Sequence, residues 1–171
     1  MESSIESHTH PRDQSVTAGC AIVIVSDSRN KHNDRSGKRI QDILERAGHQ
    51  IVDFQIIRND PSMIQNKIMY LLHDQKIHVI ITSGGTGAGK RDVTVDTLKD
   101  LFEKEFSGFG EAFRRLSWVE IGTLAAFSRA TAGIIDGRVI FCLPGSPAAV
   151  TLALNQIILP SLGHLLWEAT R

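Results

Sequence analysis

The stretch from Val79 to Thr94, VIITSGGTGAGKRDVT, constrains this chain more than any other. It opens on an apolar run, His78-Val79-Ile80-Ile81, which reads as a buried strand. Four glycines follow within six residues, Gly84, Gly85, Gly87 and Gly89, then Lys90-Arg91-Asp92 and an apparent helix start. Glycine lets backbone N–H groups approach a ligand closely, and a helix N-terminus adds positive potential, so this order of elements suits a phosphate. Gly84-x-x-x-x-Gly89-Lys90 also matches the start of the Walker A pattern. The hydroxyl residue that should follow, a Mg²⁺ ligand, is replaced by Arg91. A P-loop NTPase is therefore a poor reading, and the rest of the chain must say what the anion is.

The elements around this stretch alternate. Cys20 to Val25 is a β-branched apolar run, expected to be a central parallel strand buried on both faces. A polar cluster, Ser26-Asp27-Ser28-Arg29, ends it. A helix follows from Asp34, with Ile40, Ile43, Leu44 and Ala47 at helical spacing and Gly48 as its stop. Ile51 to Ile57 is a second strand, ending at Asn59-Asp60-Pro61-Ser62, where Pro61 suits the first turn of the next helix. That helix carries Ile64, Ile68, Leu71 and Leu72. Such alternation implies an α/β fold, a three-layer α/β/α sandwich on a mostly parallel sheet.

Later elements break the pattern. A helix carries Val95, Leu98, Leu101 and Phe102, and another spans Gly108 to Trp118. Ala125–Arg129 and Ala130–Ile135 read as short β segments. Asp136-Gly137 signals a hairpin turn into a strand from Arg138 to Leu143, so an antiparallel piece is expected late in the chain. Pro144-Gly145-Ser146-Pro147 ends that strand. A final helix, from Ala148 to about Trp167, is expected to break at Pro160.

Composition fixes the setting. Residues 1–17 are polar and read as a disordered tail, with residues 18–171 as a single domain. His8-x-His10 lies there without partners for a metal site. Lys+Arg and Asp+Glu both number 19, so no basic field for nucleic acid or membrane exists and an anion must be held locally. The two cysteines, Cys20 and Cys142, sit in apolar runs and read as small buried hydrophobes. No apolar run is expected to cross a bilayer, and no signal peptide is evident, so the protein is expected to be cytoplasmic.

In parallel sheets ligands bind beyond the C-terminal ends of the strands. Ser26–Arg29, Asn59-Asp60 and Gly84–Asp92 all fall at such ends. Asp92 reads both as an N-cap for a helix beginning at Val93 and as a Mg²⁺ ligand beside phosphate. Asp27 and Asp60 are helix caps or turn formers, or further carboxylates of a metal–nucleotide site. Pro144-Gly145-Ser146 is a turn or a fourth wall. The histidines pair with neither Ser nor Cys, so hydrolase chemistry has no support.

Taken together, Ser26–Arg29, Asp34-x-Ser36-Gly37, Gly84–Gly87 with Arg91–Thr94, Gly108–Arg114, Phe127–Arg129 and Pro144–Ser146 resemble the MoaB/MogA family of molybdenum-cofactor biosynthesis proteins. The resemblance covers about residues 18–168. It implies a homo-oligomer, trimeric or, in the B branch, hexameric. It implies binding of molybdopterin, a pterin dithiolene with a terminal phosphate, and transfer of AMP from Mg-ATP to that phosphate. The adenylylated product would pass to a molybdenum-insertion protein. The resemblance makes Asp60 and Asp92 the catalytic, Mg²⁺-associated carboxylates. Gly84, Gly85, Thr86 and Gly87 would bind pterin or phosphate, Asp27 and Ser28 would line the nucleotide side, and Lys90 or Arg91 would supply a cation. Ser117 and Ser128 resemble serines on the molybdopterin phosphate, and Pro144, Gly145 and Ser146 would close the pocket. Val95, where many members have Pro, and the P-G-S-P turn both lean to the B branch. That branch includes adenylyltransferases and pterin binders without clear activity, so a non-catalytic carrier is the alternative.

Overall fold

Alternating side-chain direction in the first strand divides the molecule. The structure, a computed structural model, describes residues 16–170. The expected tail and its His8 and His10 thus fall outside the described residues, save for Val16 and Thr17, which are exposed. Strand β1 (Gly19–Val25) is buried throughout. Its Cys20, Ile22 and Ile24 face one core, and Ala21, Val23 and Val25 face the other. This period of two is what a strand between two helical layers requires.

Helix α1 (Arg35–Arg46) begins at Asp34, whose side chain accepts from the Gly37 N–H. It packs Ile40, Ile43 and Leu44 on the first face. Strand β2 (Gln50–Ile57) leads to α2 (Pro61–Leu72), capped by Asp60 with Pro61 in the first turn, as the sequence indicated. That helix packs Ile64, Ile68, Leu71 and Leu72 on the second face. Strand β3 (Val79–Ser83) enters the glycine-rich loop, and the short α3 (Thr94–Lys99) leaves it. A two-residue β4 (Lys104–Glu105) precedes α4 (Ser107–Ile121). The hairpin of β5 (Thr131–Ile135) and β6 (Arg138–Leu143) turns at Asp136-Gly137, where Asp136 takes φ 47°. Helix α5 (Pro147–Ala153) and helix α6 (Leu159–Thr170) close the chain.

The sheet order is β2-β1-β3-β6-β5-β4. Strands β2, β1, β3 and β6 run parallel, while β5 and β4 are antiparallel to their neighbours. Helices α1, α4, α5 and α6 cover one face, and α2 and α3 the other. The three-layer expectation and its late antiparallel piece are therefore met. Cys20 and Cys142 are buried and free, and burial pushes each thiol up to about 12. Both behave as apolar fillers.

Several local expectations fail, among them helix α3, which ends at Lys99, short of Leu101 and Phe102. Ala125–Arg129 is not a strand: Gly122–Phe127 is a tight 3-10 turn continuing from α4, and the chain is extended again only from Ser128. Of its apolar residues Ala125 is buried in the turn itself and Phe127 is exposed, so neither side chain joins the sheet. The last helix does not break at Pro160. A π-type turn at Leu154–Ile158 widens the helix just ahead of the proline. This wide turn makes room for a ring that would clash in a regular helix. Ser161 Oγ donates to the Ile157 carbonyl at 2.6 Å, satisfying a group near the disturbance. Finally, Pro147–Thr170 is helical over 24 residues and contains an 18-residue window with a mean hydropathy of 1.4, so length and composition alone would permit a membrane span, contrary to expectation. In the fold its Val150, Ala153, Leu154, Ile158 and Leu162 form one stripe in the first core. A third of that window is buried, and this interior stripe accounts for part of the helix's apolar composition.

Candidate functional site

The glycine-rich loop is held shut by Thr94. Its Oγ1 donates to the Gly84 carbonyl at 2.9 Å, and its N–H donates to the Gly85 carbonyl at 3.0 Å. Gly84 sits at φ 104° and Gly85 at φ 63°, a region that side chains rarely adopt. A Cβ on Gly84 would stand 2.3 Å from the Val25 carbonyl oxygen, and one on Gly85 would stand 2.5 Å from Asn59 Oδ1. These two glycines are thus required by contact as well as by backbone angle. Helix α3 begins only at Thr94, so Lys90 and Arg91 lie in the loop rather than on a helix start. This differs from the strand–loop–helix geometry of a P-loop.

Two clefts flank the loop. The polar cleft, about 400 Å³, lies over the ends of β1, β2 and β3. It takes Ser26, Asp27, Ser28 and Arg29 from after β1 and Asn59 from after β2. Gly84, Gly85, Thr86, Gly87 and Asp92 line it from the loop, and Gly145 from the turn after β6. The second cleft, about 250 Å³, lies between α4 and α5. Phe113, Ser117, Glu120 and Ile121 line it from α4, Leu124 and Phe127 from the 3-10 turn, and Ala148, Ala149 and Leu152 from α5. Ser128, Arg129, Pro144 and Ser146 complete it. Thr86 and Gly87 belong to both clefts, so the loop is their common wall.

The structure therefore divides the residues singled out from sequence. Asp27, Ser28, Gly84, Gly85, Asp92 and Gly145 meet in the polar cleft. Ser117, Ser128, Pro144 and Ser146 meet in the apolar one. Asp60 is in neither lining: its Oδ1 accepts from the Met63 N–H at 2.9 Å and caps α2 beside the polar cleft. Arg91 is exposed and pairs with Asp27 at 3.0 Å across the cleft mouth. Asp92 does not cap α3. Val93 holds that position without a side-chain bond, and Asp92 Oδ2 instead accepts from the Gly89 N–H at 3.2 Å. The carboxylate is thus turned back towards the glycine loop, because the helix starts one residue later than the sequence indicated.

Three lining residues were quoted in sequence motifs or turns without a role. Asn59 Oδ1 is buried and has no hydrogen-bond partner, an orphaned acceptor in a residue that lines the polar cleft. Arg129 donates to the Gly87 carbonyl at 3.3 Å and pairs with Asp96, so it ties the apolar cleft to the loop and to α3. Arg29 donates to Ser36 Oγ and to the Gly145 carbonyl, both at 2.6 Å. Polar clusters at strand ends flagged Arg29 and Asn59, but only three-dimensional packing gives them partners.

The donors suit Mg²⁺. Asp27, Asn59 and Asp92 bring hard oxygen atoms to one cleft, and the unpartnered Asn59 oxygen is an observation in its favour. No group of three or more His, Cys, Asp or Glu side chains gathers to hold a metal among the described residues. Mg²⁺ needs no such cage, since it is commonly held by one or two carboxylates together with substrate phosphates.

A polar cleft joined through a glycine loop to a smaller, more enclosed apolar one defines an α/β protein with a two-part small-molecule site at the ends of its parallel strands. Comparison with known proteins narrows the class. Residues 21–164 match the family described as "Probable molybdopterin binding domain". Molybdenum cofactor biosynthesis protein B of Bacillus cereus is 41% identical over 163 residues, covering 95% of this chain and 96% of that one. A crystal structure of a molybdenum cofactor biosynthesis protein B superposes with a TM-score of 0.88 at 42% identity, covering 91% of this chain and 97% of that one. The tungsten cofactor synthesizing protein MoaB from Pyrococcus furiosus superposes with a TM-score of 0.82 at 35% identity, covering 91% and 98%. The chain belongs to the MoaB/MogA family of molybdopterin-binding, molybdenum cofactor biosynthesis proteins.

Proposed function

We propose that this protein transfers AMP from Mg-ATP to the terminal phosphate of molybdopterin, with nucleotide phosphates in the polar cleft and pterin in the apolar one. The observation that carries the reading is the pair of clefts sharing Thr86 and Gly87. A reaction between two phosphates needs both held against one common element, with the reacting atoms about 3 Å apart.

In the reaction an oxygen of the molybdopterin phosphate attacks the α-phosphorus of ATP. A new P–O bond forms, the bond to the β-phosphate oxygen breaks, and pyrophosphate leaves with that electron pair. The nucleophile is already an anion, so no strong base is required. The cost lies in bringing like charges together, which favours catalysis by positioning and charge stabilisation. Backbone N–H groups of Gly84 to Gly87 are the candidates for phosphate oxygens. Asp92, with Asp60 at the rim, would hold Mg²⁺, and Asn59 and Asp27 offer further oxygens. When bound, the cation would neutralise charge on the transferring phosphoryl group. Arg91, paired with Asp27, and Arg129, beside Ser128, are cations on opposite sides of the shared wall. Ser117 and Ser128 would donate to the molybdopterin phosphate, and Pro144, Gly145 and Ser146 would close the site.

Exposed apolar side chains support assembly into a homo-oligomer, trimeric or hexameric. Ile121, Leu124 and Phe127 line the apolar cleft and are exposed, and Trp118 and Val119 are exposed on the same stretch of α4. A patch of this kind beside a binding site commonly marks an interface. Sedimentation equilibrium should give a multiple of the chain mass that falls with Phe127→Asp; a wild-type monomer would refute the assembly. A cytoplasmic setting and hand-over to a molybdenum-insertion protein belong to the same proposal.

The test is pyrophosphate release from Mg-ATP with and without molybdopterin, comparing the wild type with Asp92→Ala and Asp60→Ala. Release that depends on molybdopterin and is lost in Asp92→Ala supports the transfer. Molybdopterin binding without adenylylated product rejects it. A carrier without catalysis is the second reading, favoured by Asp60 being engaged as a helix cap outside either lining. It requires that Asp92→Asn leave cofactor production in cells intact.

A further inference from the structure

The turn Pro144–Ser146 is the second element shared by the two clefts. Gly145 lines the polar cleft, while Pro144 and Ser146 line the apolar one. From the β3 side it is held by the Gly84 N–H bonding to the Leu143 carbonyl at 3.0 Å and by Ser83 Oγ donating to the Pro144 carbonyl at 3.2 Å. From the end of β1 one more side chain reaches it. Arg29 leaves the end of β1, crosses above β3 and donates from Nη2 to the Gly145 carbonyl at 2.6 Å. Strand β3 lies between β1 and β6 in the sheet, so this side chain links the ends of two strands that are not neighbours.

The guanidinium is aimed from behind. Its Nη1 donates to Ser36 Oγ at 2.6 Å and lies 3.8 Å from Asp34 Oδ1. Ser36 and Asp34 are almost completely buried, and Asp34 is itself fixed by the Gly37 N–H at 3.0 Å. A planar fork held by a buried carboxylate and hydroxyl on one nitrogen has little freedom in where its other nitrogen points.

We propose that Arg29 is a positioning residue that fixes the Pro144–Ser146 turn and thereby sets the shape of both clefts at once. Arg29 lines the polar cleft but not the apolar one. An effect on a ligand of the apolar cleft must therefore pass through the turn. The assignment of the ligands rests on the function proposed above, but the strut itself does not.

The experiment has two arms on the full chain. Hydrogen–deuterium exchange of the ligand-free protein compares the wild type with Arg29→Ala and Arg29→Lys. Expected is an exchange rate about tenfold faster at Gly145, Ser146 and Ala149 in Arg29→Ala, as follows from losing a charge-assisted bond, with α2 unchanged. Arg29→Lys, able to reach only one acceptor, should fall between. Unchanged exchange at the turn overturns the proposal, and so does equal acceleration over the whole chain in both variants. The second arm measures molybdopterin binding without nucleotide. About tenfold weaker binding in Arg29→Ala supports action through the turn. Wild-type affinity there, with only ATP binding weakened, means that Arg29 is a nucleotide contact and overturns the proposal. A wild-type protein that binds no molybdopterin refutes the functional reading instead, and the strut is then judged by exchange alone.

Discussion

The polar and apolar clefts share a wall but are built differently. The polar cleft is mostly backbone and short polar side chains at the ends of parallel strands. Parallel strands end at the same edge, so topology alone brings Asp27, Asn59 and Gly84 together. The apolar cleft is made by side chains of α4, the 3-10 turn and α5, whose meeting depends on how helices pack. The lesson is that one half of a bipartite site can follow from strand order while the other half follows from packing. Substitutions should therefore separate the two halves.

The sharpest separation is expected from Asp92→Ala. It should lower AMP transfer by about 10² to 10³-fold, the usual loss when one preorganised charge-stabilising group is removed. Molybdopterin affinity should stay at the wild-type level, because Asp92 lines only the polar cleft. Loss of both together would break the comparison.

Gly85→Ala should come next. The new Cβ would meet Thr94 Oγ1 at 2.4 Å at a positive φ, so stability should fall by roughly 1–3 kcal/mol in a denaturant titration. ATP binding should weaken with it, while pterin binding, one residue away from Gly85, should hold. Ser117→Ala is the converse. This buried serine belongs to the apolar cleft, and its loss should weaken molybdopterin about tenfold in calorimetry with ATP affinity intact.

The smallest effect lies at the opposite edge of the sheet. Burial holds the His49 imidazole below its ordinary range, and its Nδ1 accepts from the Ala18 N–H at 3.2 Å. A lowered pKa means that the folded state binds fewer protons than the unfolded one. The contribution is present above the unfolded value of about 6.5 and is lost as pH falls through the folded value. Thermal midpoints should drop slightly on acidification below about pH 6.5, less so in His49→Gln, with no change at either cleft. A rise on acidification would contradict the sign.

How far the sequence could be read follows the same division. The β-α-β alternation of Cys20 to Ser83 and the Asp136-Gly137 turn were legible because their periods and turn chemistry are local. The loop ends at Asp27 and Asp92 were legible because strand ends converge. Resemblance, rather than spacing, pointed to Ser117 and Ser128, since nothing in a helical pattern marks which side chain will face a cavity. Phe127 misled for the same reason: an apolar residue near a cleft mouth looks like a strand residue until its exposure is known. Pro160 misled because a π-type turn absorbed it. Arg29 was visible as a charge after β1, but its bond to Gly145 spans 116 positions in the chain.

The central claim is that one chain holds both ligands at once on either side of Thr86 and Gly87. Calorimetric titration of Mg-ATP, in a non-hydrolysable form, into protein already saturated with molybdopterin tests it directly. The expected result is one nucleotide bound per chain with molybdopterin retained, at an affinity no weaker than without it. Displacement of molybdopterin by the nucleotide, with mutual competition in the reverse titration, would mean a single shared site and would contradict the account.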